Sequence, residues 1–137
     1  MSECVFCKII SNEIPSVKVY ETGRVLAFLD INPVNPGHVL VVPKEHYTNM
    51  LETPEEVLKE LIAAAKKIAP AVLKGTGASA FNLTVNNGPE AGQVVAHTHF
   101  HIIPRFNGDG YRLWGGRAYA ASEMEEAGKK IRKNLTE

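Results

Sequence analysis

The sequence has no net charge, no long apolar run and few cysteines. Among its 137 residues, 15 Lys and Arg balance 15 Asp and Glu, so the formal net charge at pH 7 is zero. Because no basic surplus is available to attract polyanions, we expect neither nucleic acid nor a membrane surface as a partner. No apolar stretch approaches the roughly 18 residues that a membrane-spanning helix needs.

The first residues also lack the basic segment and apolar stretch of a secretory signal peptide. We therefore expect a cytoplasmic protein, in which the two cysteines, Cys4 and Cys7, remain reduced. No internal repeat, low-complexity stretch or linker interrupts the chain. A length of 137 residues is enough for one domain with its own core, and we assign 1–137 to a single domain.

A long helix is predicted over 54–74, because apolar residues recur there with helical spacing. Thr53 and Glu56 have the spacing of a capping box at its start. Pro70 interrupts the apolar pattern and is a candidate kink, and Gly75 is a natural stop signal.

Apolar and alternating patterns predict strands at 17–20, 25–29, 38–43, 81–86 and from His97 to about Pro104. Residues 4–10 are compact and apolar, as in a short helix, and Ser122 with Glu125 predicts another capping box at the start of a C-terminal helix. This order of elements predicts an α+β domain, in which helices pack to one side of an antiparallel sheet.

Three of the five histidines, His97, His99 and His101, alternate along one predicted strand. Side chains two residues apart in a strand share a face, so the imidazoles would follow one another at about 6.6 Å. Imidazole titrates near neutrality and serves as a nucleophile, a proton carrier or a metal ligand. Two other interpretations remain open: an exposed polar strand, and a catalytic metal bound by His99 and His101.

Cys4 and Cys7 form a Cys-x-x-Cys motif, which by itself is ambiguous. No thioredoxin-like βαβ pattern follows it, so a redox role is disfavoured. The remaining interpretations are a zinc site, which needs two further nitrogen or sulfur ligands, and two inert buried thiols.

Four blocks of the sequence together resemble the histidine triad (HIT) family of nucleotide hydrolases and transferases. They are Ala27 to Pro33, Gly37 to Lys44, Asn86 to Gln93, and His97 to Ile103 with its His-x-His-x-His pattern. The resemblance extends from about residue 4 to residue 105 and leaves 106–137 outside as a C-terminal extension.

The resemblance implies the HIT fold, with a five-stranded antiparallel sheet, one long helix and short flanking helices, usually as a homodimer. It implies a hydrolase that cleaves a purine nucleoside monophosphate derivative, a phosphoramidate or an adenylate, at the α-phosphate through a covalent nucleotidyl-histidine. Two alternatives remain: a dinucleoside polyphosphate hydrolase of the Ap4A type, and a zinc-stabilised nucleotide-binding module with little turnover.

The resemblance also assigns roles to particular residues. His99 would be the nucleophile, with His101, His38 and Gln93 as further catalytic residues. The ribose would contact Asp30, and the phosphate would contact Asn86, Gly92, Gln93, Val94, His99 and His101. An apolar slot for the base would consist of Phe6, Ile9, Phe28, Leu29 and Ile31.

Simpler roles remain open for several of these residues. Asp30 suits a turn before Asn32, and His38 suits a hydrogen-bonded core position. Any apolar residue of the slot could be ordinary core. For Trp114 and its neighbours, the sequence leaves open a cover over a partner's site or an ordinary surface loop.

Val94 departs from the pattern of many relatives, which have Ser or Thr directly after the loop glutamine. The hydroxyl is thought to assist the leaving group in those relatives. We therefore expect slower turnover of phosphoramidates than of polyphosphates or acyl-adenylates.

Zinc-bearing branches of the HIT family resemble this chain in their Cys-x-x-Cys motif and in two of their histidines. The resemblance implies a structural zinc ion held by Cys4, Cys7, His46 and His97. Such a site would connect the N-terminal segment to the strand that carries His99.

Overall fold

The computed structural model describes residues 3–135. Its helices are α1 (Val5–Ile10), α2 (Glu55–Thr76) and α3 (Glu123–Asn134), and its strands are β1 (Lys18–Glu21), β2 (Val25–Leu29), β3 (Val39–Pro43), β4 (Ala80–Val85) and β5 (Phe100–Arg105). Two single turns of 3-10 helix, Met50–Glu52 and Pro89–Ala91, lie in the loops. The predicted order of helices and strands is confirmed.

The five strands form one antiparallel sheet in the order β1-β2-β3-β5-β4. The last strand of the chain, β5, is therefore an inner strand. Its His101 lies opposite Leu40 of β3 and Thr84 of β4. This register brings the histidine segment beside the loop that enters β3.

The sheet is covered on both faces, whereas the sequence pattern predicted helices on one side only. Val25, Ala27, Val39 and Val41 pack with α2, and Leu26, Phe28, Leu40 and Val42 pack with Phe6 and Ile9 of α1. The prediction was wrong because β2 and β3 carry apolar side chains on both faces, and each face has to be shielded from water.

The ends of α2 differ from those predicted. Thr53 does not cap the helix: its hydroxyl donates to the backbone oxygen of Asn49 and pairs at 2.8 Å with the Thr98 hydroxyl. The helix also continues past Gly75 to Thr76 and ends with Gly77 at φ 81°. Pro70 does not end the helix, because it lies on the exposed face, where water can reach the carbonyl that loses its partner.

The predicted capping box of the C-terminal helix is also absent. Ser122 has φ 69° and makes no side-chain cap bond, whereas Glu123 accepts a hydrogen bond from the Ala120 amide. Residues 111–122, which precede α3, are all exposed. Within the described residues, no helix is both long and apolar enough to cross a membrane.

Candidate active site

The three alternating histidines lie on the side of the sheet that α1 covers, but only His101 belongs to β5. His97 and His99 occupy an irregular segment before the strand, and both are buried. The Phe6 ring meets the rings of His97 and His99 edge-on, at centroid distances of 5.8 and 5.0 Å. The prediction of one continuous strand was therefore wrong at its start, although the three side chains do lie together.

The orientation of the His99 ring is determined by a backbone contact. Nδ1 of His99 lies 2.7 Å from the carbonyl oxygen of His97, and because a carbonyl only accepts, Nδ1 carries the proton. Nε2 of His99 is then unprotonated. Burial lowers the pKa of His99 below the usual range, so the ring is neutral at pH 7. The neutral ring with a bare Nε2 is the nucleophilic form of imidazole.

A second backbone contact determines the tautomers of His38 and His101. The amide of Val34 donates to Nδ1 of His38 at 3.1 Å, so the proton of neutral His38 is on Nε2. That Nε2 lies 2.9 Å from Nδ1 of His101 and donates to it. His101 therefore carries its own proton on Nε2. Burial lowers the pKa of His101 to about 4, which keeps the ring neutral at pH 7.

The Nε2–H of His101 is an orphaned donor. The atom is buried and has no hydrogen-bond partner within residues 3–135. A buried donor without an acceptor costs free energy, so such groups in native structures are typical of ligand sites. The His99 and His101 ring centroids are 4.8 Å apart, so one small ligand group can reach both rings.

Asp30 lies at the edge of this histidine cluster. One carboxylate oxygen accepts a hydrogen bond from the Asn32 amide at 2.9 Å, which confirms the turn role that the sequence left open. The other oxygen lies 3.7 Å from Nε2 of His38. This second oxygen keeps acceptor capacity for a ligand hydroxyl.

Gln93 is positioned differently from the expectation that its side chain reaches the phosphate. Its oxygen accepts from the Gly88 amide at 2.9 Å, and its nitrogen donates to the backbone oxygens of Thr48 and Val95 at 2.7 and 3.0 Å. The amide group thus holds the loop together, and both of its N–H groups are already engaged. Val94, the next residue, is 92% exposed.

The remaining predicted phosphate contacts lie in this loop. Gly92 has φ 93°, which favours glycine, and Asn86 packs beside it, with its side-chain nitrogen 3.7 Å from where a Cβ of residue 92 would lie. Gly88, with φ 98°, has the same backbone requirement. The loop geometry therefore accounts for both glycines, as the sequence alone allowed.

The predicted apolar slot is brought together only in part. Phe6, Ile9 and Phe28 form one buried cluster next to the histidines. Leu29 instead packs on the opposite face of the sheet, with the residues that contact α2, because successive side chains of β2 alternate between faces. Ile31 follows the strand and is 88% exposed.

The four predicted metal ligands meet on the other side of His97. Nε2 of His97 donates to the Pro43 carbonyl at 2.9 Å, so its Nδ1 is unprotonated. This Nδ1 lies 3.4 Å from the Cys4 sulfur, 3.7 Å from the Cys7 sulfur and 3.1 Å from Nδ1 of His46. The four donor atoms lie within 4.8 Å of one another and make a candidate metal site.

Local structure explains why these four residues converge. Cys4 is the N-cap of α1 and Cys7 lies one turn further on, so both sulfurs lie at the same end of the helix. His46 is held near His97 because the Thr98 amide donates to the Tyr47 carbonyl at 2.8 Å. Burial, followed by the neighbouring Cys4, raises the pKa of the Cys7 thiol to about 11 when no metal is bound.

The antiparallel sheet of this α+β domain thus holds a neutral imidazole with a bare Nε2 beside a buried N–H donor that has no partner among the described residues. The chain belongs to the HIT family, because the HIT domain matches residues 11–108. Cys4 and Cys7 lie outside this matched range, so the candidate metal site extends beyond the family domain.

Named relatives and solved structures agree with this assignment. The chain is 49% identical over 117 residues to adenylylsulfatase HINT3 of Arabidopsis thaliana, which covers 85% of this chain and 58% of that protein. It is 41% identical over 131 residues to adenosine 5'-monophosphoramidase hnt1 of Schizosaccharomyces pombe, with 93% and 95% covered.

Among solved structures, a HIT family member from Bacillus subtilis is 42% identical, with a TM-score of 0.89 and 98% and 99% of the two chains covered. A zinc-bound histidine triad protein from Mycobacterium smegmatis is 36% identical, with a TM-score of 0.77 and 96% and 92% covered. These structures confirm the predicted HIT fold.

Proposed function

We propose that this chain hydrolyses nucleoside monophosphate derivatives at the α-phosphorus through a covalent intermediate on His99. The observation that carries the proposal is the pair of ring nitrogens at the site. Nε2 of His99 is unprotonated, because Nδ1 donates to His97, and Nε2–H of His101 is a buried donor without a partner. A nucleophile next to an unused donor suits attack on a phosphorus that bears anionic oxygens.

In the proposed first step, the electron pair on Nε2 of His99 forms a bond to the α-phosphorus, and the bond to the leaving group breaks with its electron pair on the leaving group. Sulfate leaves as an anion, and an amine leaves after taking a proton from solvent. His101 donates its Nε2–H to a non-bridging oxygen, where negative charge increases in the transition state. In the second step, water attacks the nucleotidyl-histidine, releases the nucleoside monophosphate and restores His99. Two displacements replace one difficult hydrolysis.

The substrate class follows from the relatives' names and from the apolar cluster. One relative is named for adenylyl sulfate and another for an AMP phosphoramidate, so both names indicate an adenosine 5'-phosphate derivative. Phe6, Ile9 and Phe28 provide an apolar wall for a purine. We propose that AMP or GMP derivatives bind here, with the ribose near the free oxygen of Asp30.

We also propose that the metal is zinc and that its role is structural. Tetrahedral zinc, with bonds of about 2.3 Å to sulfur and 2.0–2.1 Å to nitrogen, separates its ligand atoms by roughly 3.3–3.8 Å. Four of the six separations between donor atoms, at 3.1–3.7 Å, are close to this range, and all six are within 4.8 Å. Bound zinc would supply a cross-link between α1, the His46 loop and His97, without contacting substrate.

A homodimer and a cytoplasmic location complete the proposal. The edge strand β4 presents Phe81 and Leu83, which are 40% and 38% exposed, to a second copy. Sedimentation of the chain and of Leu83→Lys tests the dimer.

A reducing compartment suits Cys4 and Cys7, because metal binding needs free thiolates.

The decisive experiment combines turnover with trapping of labelled nucleotide on the protein. Adenosine 5'-phosphoramidate, adenylyl sulfate and a diadenosine polyphosphate are compared as substrates of wild type, His99→Ala and the control Ile131→Ala, at an exposed position of α3. We expect labelling and AMP release in wild type and the control, and neither in His99→Ala.

Two outcomes would favour the alternatives. Preferred cleavage of the diadenosine polyphosphate would indicate an Ap4A-type hydrolase. Nucleotide binding with neither label nor turnover would indicate a binding module, an alternative that the engaged amide of Gln93 and the missing hydroxyl at Val94 favour.

A further inference from the structure

A buried carboxylate outside the histidine cluster accepts an unusual number of hydrogen bonds. The side chain of Asp109 is 8% exposed and forms a two-bond pair with Arg105, at 2.8 and 2.9 Å. It also accepts from the amides of Phe106 and Tyr111 and from the side-chain nitrogen of Asn35, at 3.2, 3.1 and 3.0 Å. Arg105 and these amides hold the pKa of Asp109 well below its usual range.

Asn35 connects this carboxylate to the loop before β3. Its side-chain nitrogen donates both to Asp109 and to the Pro104 carbonyl, at 3.0 and 2.8 Å. Its own carbonyl accepts from the His38 amide at 3.1 Å across a turn in which Gly37 has φ 98°. The loop is therefore anchored to the end of β5 through one side chain.

The same turn determines which nitrogen of His38 carries the proton. The Val34 amide, one residue before Asn35, donates to Nδ1 of His38 and leaves the proton on Nε2. If the turn shifts and this bond is lost, the proton can move to Nδ1. His38 then no longer donates to His101, and the proton on Nε2 of His101 is no longer specified.

We propose that Asp109, acting through Asn35, is a positioning residue that maintains the proton arrangement of His38 and His101. The proposal rests on the proposed function only in its effect on turnover. Its structural part, the link between Asp109 and the His38 tautomer, holds whichever substrate the site takes. Asp109, Arg105 and Asn35 are not among the functional residues expected from the sequence.

Two variants test the link at its two ends. Asp109→Asn keeps the side-chain shape but removes the charge that pairs with Arg105. Asn35→Ala removes the connecting side chain and leaves the Arg105–Asp109 pair intact. The matched control is Glu123→Gln, because Glu123 also accepts from an arginine and a backbone amide, but at the start of α3, far from His38 in sequence.

The primary measurement is the ring tautomer of each histidine, read from nitrogen chemical shifts of the labelled, zinc-loaded protein. We expect wild-type His38 with its proton on Nε2, and a mixture of both tautomers in Asp109→Asn and Asn35→Ala. We expect kcat to fall about 10- to 100-fold with KM changed less than about threefold, because misplacement of a catalytic group by about 1 Å is this costly. The control should match wild type in both measurements.

The double variant, Asp109→Asn with Asn35→Ala, tests whether Asp109 acts through Asn35. If Asp109 acts through Asn35, the double variant has no lower kcat than the worse single variant. If Asp109→Asn does not fold, Asn35→Ala alone decides. Retention of the His38 tautomer and of kcat in Asn35→Ala would overturn the proposal, even if stability falls. If wild type turns over no nucleotide, the proposed function fails, and the tautomer measurement still decides the link.

Discussion

The carbonyl oxygen of His97 accepts a 2.7 Å hydrogen bond from Nδ1 of His99. The residue whose ring faces Cys4 and Cys7 therefore also specifies the tautomer of the proposed nucleophile. His97 is held from two directions, since its Nε2 donates to the Pro43 carbonyl at 2.9 Å. Loss of the contacts on the metal side should affect His99 through this shared backbone.

Zinc removal should lower both stability and turnover. We expect about one equivalent of zinc in the purified protein and its loss in Cys4→Ala, with the thermal midpoint falling as well. Zinc at 1,000 times its dissociation constant stabilises the folded state by about 4 kcal/mol. Elemental analysis and calorimetry measure these effects, and Val5→Ala, on the same helix, is the control. Less than about half an equivalent in wild type would rule out the four-ligand site.

Acid should destabilise the protein through His101. Burial lowers the pKa of His101 from 6.5 to about 4, so the unfolded chain binds a proton at a higher pH than the folded protein does. The contribution of neutral His101 to the free energy of unfolding is complete above about pH 6.5 and is lost as the pH falls towards 4. It amounts to roughly 3 kcal/mol at most. Urea unfolding at several pH values should show a shallower decline in His101→Asn than in wild type. Equal slopes for the two proteins would contradict this assignment.

Gly37→Ala should be strongly destabilising. Gly37 has φ 98°, and a Cβ there would overlap Cγ2 of Thr76 at the end of α2. Backbone strain and overpacking together should cost roughly 2–5 kcal/mol of unfolding free energy. In Gly37→Ala with Thr76→Ser the overlap is removed, so part of the stability should return.

A glycine in a different environment provides the control for Gly37. Gly75 lies within α2 and has open space around its Cβ position. Gly75→Ala should therefore stabilise the protein by about 0.5–1 kcal/mol. A loss of stability in Gly75→Ala similar to that in Gly37→Ala would show that local strain and overlap are not the cause.

Val94→Thr should increase turnover of a phosphoramidate relative to adenylyl sulfate. An amine leaves only after protonation, whereas sulfate leaves as a stable anion, so a hydroxyl at position 94 should benefit the amine selectively. We expect a relative gain on the order of 10-fold. Because Val94 is 92% exposed, stability should not change. Val17→Thr, at another exposed valine, is the control, and an equal change with both substrates would contradict the leaving-group argument.

Local patterns in the sequence were sufficient for the order of elements, whereas the four candidate metal ligands were expected from the resemblance to the HIT family. The apolar runs of β2 and β3 predict strands without any knowledge of which elements lie beside them in the fold. The two-residue alternation of His97, His99 and His101 places them on one side even though only His101 is in a regular strand. The spacing of Cys4 and Cys7 similarly determines that their sulfurs lie at one end of a helix.

Hydrogen-bond partners that are distant in sequence were not predictable in this way. Thr53 has the sequence environment of a helix cap, but the Thr98 hydroxyl 45 positions away is its partner instead. The side-chain amide of Gln93 likewise donates to the Thr48 carbonyl, 45 positions away. A polar side chain takes whichever partner the folded chain brings within reach, and no local pattern encodes that choice.

The sequence by itself determined the five strands, the pair of cysteine sulfurs and the spacing of the histidines. Only the tertiary structure decided the protonation of each ring, because that depends on whether a backbone donor or acceptor lies opposite each nitrogen. Pairing of β5 with β3 places His101 against His38, and the Val34 amide and the His97 carbonyl then orient the protons. Imidazole is chemically ambiguous until such contacts select one tautomer.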